Sequence, residues 1–248
     1  MDLGLRGKTA IVCGASSGLG LAAAEALAAE GANVTMFARR REQLERDADR
    51  IGALAVRGDV TNAADLERLV SKTLEAFGGI DILVWNSGGP PPGKAGDVTD
   101  DTIEAAFDLL LVPAVRLVRL CRPHLEQSEA GRIVAITSLT AKEPTAHLAL
   151  SNAIRPGLVG WLKTLSREVG PSGVTVNCVA PGRIDTPRMA EVYGEGGPPA
   201  EEMAQIPLGR LGRPREFGDV VCFLASARAA YVSGTTVLVD GGMSRGLL

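Results

Sequence analysis

Histidine and aromatic residues are scarce in this chain, and neither sign of charge dominates it. Two histidines (His124 and His147) and four cysteines (Cys13, Cys121, Cys178 and Cys222) stand far apart in 248 residues. No CxxC pair occurs, so neither a Cys/His zinc site nor a disulfide scaffold has sequence support. Three of the cysteines sit in apolar stretches and read as free buried thiols, which suits a reducing compartment. A net formal charge of −3 gives no reason to expect nucleic acid or an anionic membrane surface. No apolar run approaches the roughly 18 residues of a membrane span, and the opening MDLGLRGKTAIV lacks the core of a secretory signal. The sequence therefore predicts a soluble, cytoplasmic protein with no metal, no nucleic-acid partner and no membrane partner.

What the chain does have is alternation. Short β-branched runs are expected as strands at Thr9–Cys13, Asn33–Phe37, Leu54–Val56, Ile82–Trp85, Arg132–Thr137, Thr175–Val179 and Thr236–Val239. Helical patterns lie between them at Gly20–Glu30, Arg41–Ile51, Ala63–Phe77, Asp101–Glu126, Leu150–Val169 and Arg215–Ala225. Several strands are nearly continuous apolar runs, as strands covered on both faces are. Gly31, Gly78-Gly79 and Gly170-Pro171 stop three of the helices, and Thr61 or Asn62 can cap the third, with Asp65 and Glu67 early in it. The pattern predicts an α/β fold: a doubly wound, Rossmann-type parallel sheet of about seven strands with helices on both faces, in a single domain over residues 1–248. Ser87–Gly96 and about 181–214 are too rich in Gly and Pro for regular structure. Both follow strand ends, where open α/β sheets bind ligands.

The first strand runs into Gly14-Ala15-Ser16-Ser17-Gly18-Leu19-Gly20 and then an apolar helix. A helix start offers free N–H groups and a positive dipole end, and glycines let the backbone approach a pyrophosphate, so this turn reads as a dinucleotide grip. The second strand is followed by Arg39-Arg40-Arg41 where an acid would bind the ribose 2′-hydroxyl of NAD. Arginine there can pair with the 2′-phosphate of NADP, and Arg39 is the favoured contact. A solvated charge run opening the second helix competes, most strongly for Arg41. Asp59 is placed to reach the adenine or simply to end the third strand.

Further motifs follow: Gly58-Asp59-Val60, Asp81-Ile82-Leu83-Val84-Trp85-Asn86-Ser87-Gly88, Gly131-Arg132-Ile133-Val134 leading to Ser138, Val176-Asn177-Cys178-Val179-Ala180-Pro181-Gly182, and Val239-Asp240-Gly241-Gly242. With them the chain resembles the short-chain dehydrogenase/reductase family nearly end to end. The overall run is similar to members of the 3-oxoacyl-carrier-protein reductase type, which reduce a ketone with NADPH and are commonly tetramers. The resemblance implies NADP(H) in preference to NAD(H), a small carbonyl or alcohol substrate, a substrate-covering loop at about 181–214, and a homo-oligomer, either tetramer or dimer. It also implies cofactor contacts from Gly14, Ser16, Ser17, Gly18, Leu19, Gly20, Arg39, Arg40, Asp59, Val60, Asn86, Gly88, Arg155, Pro181, Gly182, Ile184 and Thr186.

The family's chemistry uses a serine, a tyrosine acid, a lysine one turn later and often an asparagine on the preceding long helix. Ser138 matches the serine, but Ser151 stands at the tyrosine position, Arg155 at the lysine position and Leu110 at the asparagine position. Ser151 and Arg155 share a helix face, being four apart. An aliphatic hydroxyl is a far weaker acid than a phenol, and a guanidinium does not exchange protons usefully near neutrality. Other proton sources are His147, Tyr193, Glu143 and Lys142, each of which also reads as surface or loop polarity; Tyr231 reads as core. The leading expectation is an NADP(H)-dependent oxidoreductase in which Ser138, Ser151 and Arg155 form a non-standard catalytic centre. The alternative is a catalytically silent NADP(H)-binding sensor or partner subunit.

Overall fold

The computed structural model describes residues 1–194 and 196–247. Seven strands, β1 (Thr9–Cys13), β2 (Asn33–Ala38), β3 (Leu54–Arg57), β4 (Ile82–Trp85), β5 (Arg132–Ile136), β6 (Thr175–Pro181) and β7 (Thr236–Val239), form one parallel sheet in the order β3-β2-β1-β4-β5-β6-β7. The strand order reverses between β1 and β4, which opens a crevice at their carboxyl ends. β1, β4 and β5 are buried along their whole length.

Alternate residues of these strands face two separate cores. Ala10 and Val12 of β1 pack with α1 (Gly18–Ala29), α2 (Arg41–Ile51) and α9 (Pro214–Ala225) on one face. Ile11 and Cys13 pack with α3 (Ala63–Phe77), α5 (Val112–Gln127) and α6 (Ala149–Val169) on the other. Helices α1 and α9 pack closely: a Cβ on Gly218 would lie 2.5 Å from the Ala22 carbonyl oxygen. All four cysteines are buried and unpaired, and burial pushes the Cys121, Cys178 and Cys222 thiols up to about 12. At neutral pH they act as apolar packing.

Four expectations need correction. The single helix expected over Asp101–Glu126 is two, α4 (Asp100–Leu110) and α5, because Pro113 lacks an N–H and its ring would meet the carbonyl one turn back. α1 begins at Gly18, two residues early, because Ser17 takes the extended conformation of an N-cap. The 181–214 segment is not irregular throughout; it contains α7 (Pro187–Tyr193) and α8 (Ala200–Met203). Tyr231 is fully exposed, and Ala229 fills the core position beside it. Asn62, rather than Thr61, caps α3 by accepting from the Ala64 and Asp65 N–H groups.

Candidate functional site

The carboxyl ends of the central strands open into a cleft of about 540 Å3, the size of a typical cofactor or ligand site. Of the expected cofactor contacts and the Ser138, Ser151 and Arg155 centre, all but one line it: Gly14, Ser16, Ser17, Gly18, Leu19, Arg39, Arg40, Asp59, Val60, Asn86, Gly88, Ser138, Ser151, Arg155, Pro181, Gly182, Ile184 and Thr186. Gly20 is the exception. It is buried one layer back, where a Cβ would stand 2.3 Å from the Gly14 carbonyl oxygen.

The β1–α1 turn has the form of an anion cradle. Gly14 and Gly18 both adopt positive φ, 60° and 56°, which only glycine adopts without strain. Ser17 makes no side-chain cap, and the first helical bond runs from the Leu21 N–H to the Ser17 carbonyl. No acceptor among the described residues takes the Gly18, Leu19 or Gly20 N–H, and Gly18 and Leu19 line the cleft at the positive end of a twelve-residue helix. The cradle therefore fits the phosphates of a dinucleotide. Arg40 leans over it, donating to Ser17 Oγ at 2.6 Å, while Arg39 is largely exposed and lies 3.8 Å from Asp59. Asn86, just past β4, reaches back to the Gly14 carbonyl at 3.4 Å and ties the two sides of the crevice together.

On the other side, Ser138 leaves β5 in extended conformation and its Oγ accepts from the Thr140 N–H at 3.2 Å. Its own O–H proton remains available to the cleft. Ser151, on the first turn of α6, shares a 2.8 Å hydrogen bond with the Thr140 hydroxyl, and both residues are buried. One turn further, Arg155 is 7% exposed. Among the described residues it has no ion-pair partner, and its Nε has no hydrogen-bond acceptor. Burial, with the like charge of Arg188 adding to it, pulls the Arg155 guanidinium down to about 10, so it stays a cation at neutral pH.

Helix α7 covers the cleft. Arg188 donates to the Pro90 carbonyl at 2.7 Å and to Glu191 at 2.8 Å, joining α7 to the Ser87–Gly96 loop. Arg183 binds Glu202 at 2.7 Å and lies over the Tyr193 ring, 5.4 Å from its centroid. Tyr193 reaches the cleft, but its hydroxyl donates to Glu202, and burial with that bond raises its pKa above the usual phenol range.

The remaining proton candidates lie elsewhere. His147 is exposed, has an unusual φ of 58° and does not line the cleft. Lys142 is exposed, and Glu143 instead accepts from Ser244 and from the Arg245 and Gly246 N–H groups. Leu110 is fully buried with Ala106, Leu150 and Ile154, and its neighbour Leu109 is the residue that reaches the cleft. Sequence reasoning missed Thr140 and Arg188. Each matters through a partner distant in the chain, and no spacing rule reveals that.

Comparison with known proteins agrees with this geometry. The family model described as Enoyl-(Acyl carrier protein) reductase matches residues 14–244. The 3-oxoacyl-acyl-carrier-protein reductase FabG of Escherichia coli is 36% identical over 243 residues, covering 97% of this chain and 99% of that protein. The L-sorbose reductase of Gluconobacter frateurii, solved with NADPH and L-sorbose, superposes with a TM-score of 0.93 at 32% identity over the whole of both chains. A short chain oxidoreductase from Pseudomonas aeruginosa, solved with NADPH and described as containing an atypical catalytic center, gives a TM-score of 0.90 at 30% identity, covering 96% of this chain and 97% of that one. The chain belongs to the short-chain dehydrogenase/reductase family, a family of oxidoreductases.

Proposed function

We propose that this protein is an NADP(H)-dependent oxidoreductase acting on a carbonyl or alcohol substrate, 3-oxoacyl thioesters included, through a proton path that does not use a phenol. The observation that carries the reading is a single cleft: the uncapped start of α1, two arginines, and the Ser138, Ser151 and Arg155 side chains all open into it. Arg39 and Arg40 suit the 2′-phosphate that distinguishes NADP from NAD, and no acid at Ala38 competes for a ribose hydroxyl. The NADPH-bound structural relatives support the same cofactor.

When bound, the nicotinamide supplies the hydride; the protein binds, orients and moves the proton. Ser138 orients the substrate oxygen, since its acceptor side is engaged by the Thr140 N–H and its proton is free to donate. On the family resemblance Ser151 and Arg155 stand where a tyrosine and a lysine would. Ser151 is too short and too weak an acid to replace the phenol, but with Thr140 it forms a hydroxyl pair that can pass a proton from cleft water. Arg155, one turn on from Ser151, gives this end of the cleft a fixed positive charge. Loss of a positioned general acid typically costs about 10²–10⁴ in rate, so a slow but real reductase is expected. The four free thiols fit a cytoplasmic setting, and we read the protein there as a homo-oligomer.

A second reading, a silent NADP(H)-binding sensor or partner subunit, is favoured by one observation: the Tyr193 hydroxyl, which reaches the cleft, is engaged by Glu202. NADPH consumption over a panel of 3-oxoacyl thioesters, quinones, aldehydes and steroids separates the two. Turnover of at least one is expected, and calorimetric NADPH binding with no turnover of any would favour the sensor. Joint Ser151→Tyr and Arg155→Lys replacement should collapse an existing activity; activity rising from nothing would mean the natural protein had lost its chemistry.

A further inference from the structure

Of the five arginines that line the cleft, three stand beside carboxylates; Arg40, bonded to the Ser16 and Ser17 hydroxyls at the β1–α1 turn, and Arg155 do not among the described residues. Arg39 faces Asp59, Arg183 faces Glu202 and Arg188 faces Glu191. Arg155, the most deeply buried of the arginines lining the cleft, faces no carboxylate among the described residues, and its Nε–H is without an acceptor. A buried guanidinium in that state is costly unless a ligand completes it. Cofactor ribose hydroxyls could accept its hydrogen bonds, but they bring no countercharge. Arg188 lines the same cleft and adds a second positive charge, which lowers the first further.

From this we infer that the substrate carries a carboxylate, held between Arg155 of α6 and Arg188 of α7 while Ser138 takes the carbonyl oxygen. The inference rests on the reductase reading and narrows it from thioesters to free oxo acids. The charge balance favours a monoanion. Arg40 lies at the nucleotide turn; at the α6–α7 end, with Arg188 already paired to Glu191, the uncompensated charge is the one on Arg155, which a carboxylate neutralises and a phosphate dianion overshoots. The planar fork of arginine also matches a carboxylate in bidentate geometry. Arg188 sits on the covering helix and is bonded to the Pro90 carbonyl, so an acid seated on it would also hold that cover against the loop opposite.

The test uses matched oxo acids and their methyl esters over several chain lengths, with inorganic phosphate as a further arm, on the NADP+-loaded protein. Thermal shift and turnover with NADPH are both read. Acids are expected to stabilise the protein at millimolar concentration while esters do not. Arg155→Met and Arg188→Gln should each weaken the acid about 10–100-fold, the loss expected for one charge-assisted contact. The half-exposed Arg188 keeps the test valid if the buried variant misfolds. Equal response to acids and esters, acid binding indifferent to both variants, or stronger stabilisation by phosphate than by any acid would overturn the inference. Turnover without acid preference leaves the reductase reading standing and removes this one. Acid-selective binding without turnover does the reverse.

Discussion

The two sides of the cleft are built on different terms. On the β1–β3 side the site is mostly backbone: free amides of a helix start, glycines where a Cβ would collide, and arginines added at the rim. On the β5–β6 side it is side chains: the Ser138 hydroxyl held by the Thr140 N–H, the Thr140 and Ser151 hydroxyls bonded to each other, and a buried guanidinium whose Nε lacks an acceptor. Backbone geometry tolerates few substitutions, because no other residue supplies it. Side-chain chemistry can be exchanged while the scaffold stays the same, so one half can keep its task as the other changes.

The sharpest way to break the comparison is to attack the backbone half. Gly18→Asp forces a side chain onto a φ of 56° and puts an anion before the free amides. NADPH affinity measured by calorimetry should fall at least about 100-fold; a smaller loss would mean the cradle is not where the phosphates sit. Next in size, Arg39→Asp should weaken NADPH by about 10–100-fold and NADH far less. Equal effects would remove the 2′-phosphate assignment and turn attention to Arg40, which already bends over the turn.

On the side-chain half, Ser151→Ala and Thr140→Val should each lower kcat about tenfold, and the double variant scarcely more. Additive losses would show that the two hydroxyls do not act as a unit. The smallest effect is on stability. Arg155→Met should stabilise the ligand-free protein by about 1–3 kcal/mol, raising Tm by roughly 2–9 °C, because it removes a buried charge with no partner. The sign follows from the depressed pKa. The folded state resists protonation of Arg155, so the penalty is complete below about 10 and fades as pH rises from there toward the ordinary guanidine range. A melting temperature that falls in the variant at neutral pH would show that Arg155 is satisfied within the protein.

Much of the backbone half was legible in the sequence, because its signals are local. A buried run, a glycine-spaced turn and an apolar helix within twenty residues specify one arrangement, and β1 with α1 carries it out. The side-chain half was legible only as candidates. Ser138 and Ser151 could be named from spacing, but their meeting through Thr140 depends on how the turn after β5 sits against α6. His147 illustrates the opposite error: adjacent in sequence to α6, it turns outward at a left-handed φ and misses the cleft. Pro113 is a helix-break signal that the single Asp101–Glu126 helix left out of account, and the chain divides there into α4 and α5.

The helix that begins the cradle, α1, is braced over much of its inner face by α9, nearly the whole length of the chain away, with Gly218 lying against Ala22 and Phe217 in the shared core. The turn that opens α1 is thus braced only when the last α-helix arrives. During synthesis the emerging N-terminal portion would carry every residue of the turn yet lack the wedge that holds it in shape. The shape of the first turn therefore depends on contacts of very high sequence separation, the kind that form late.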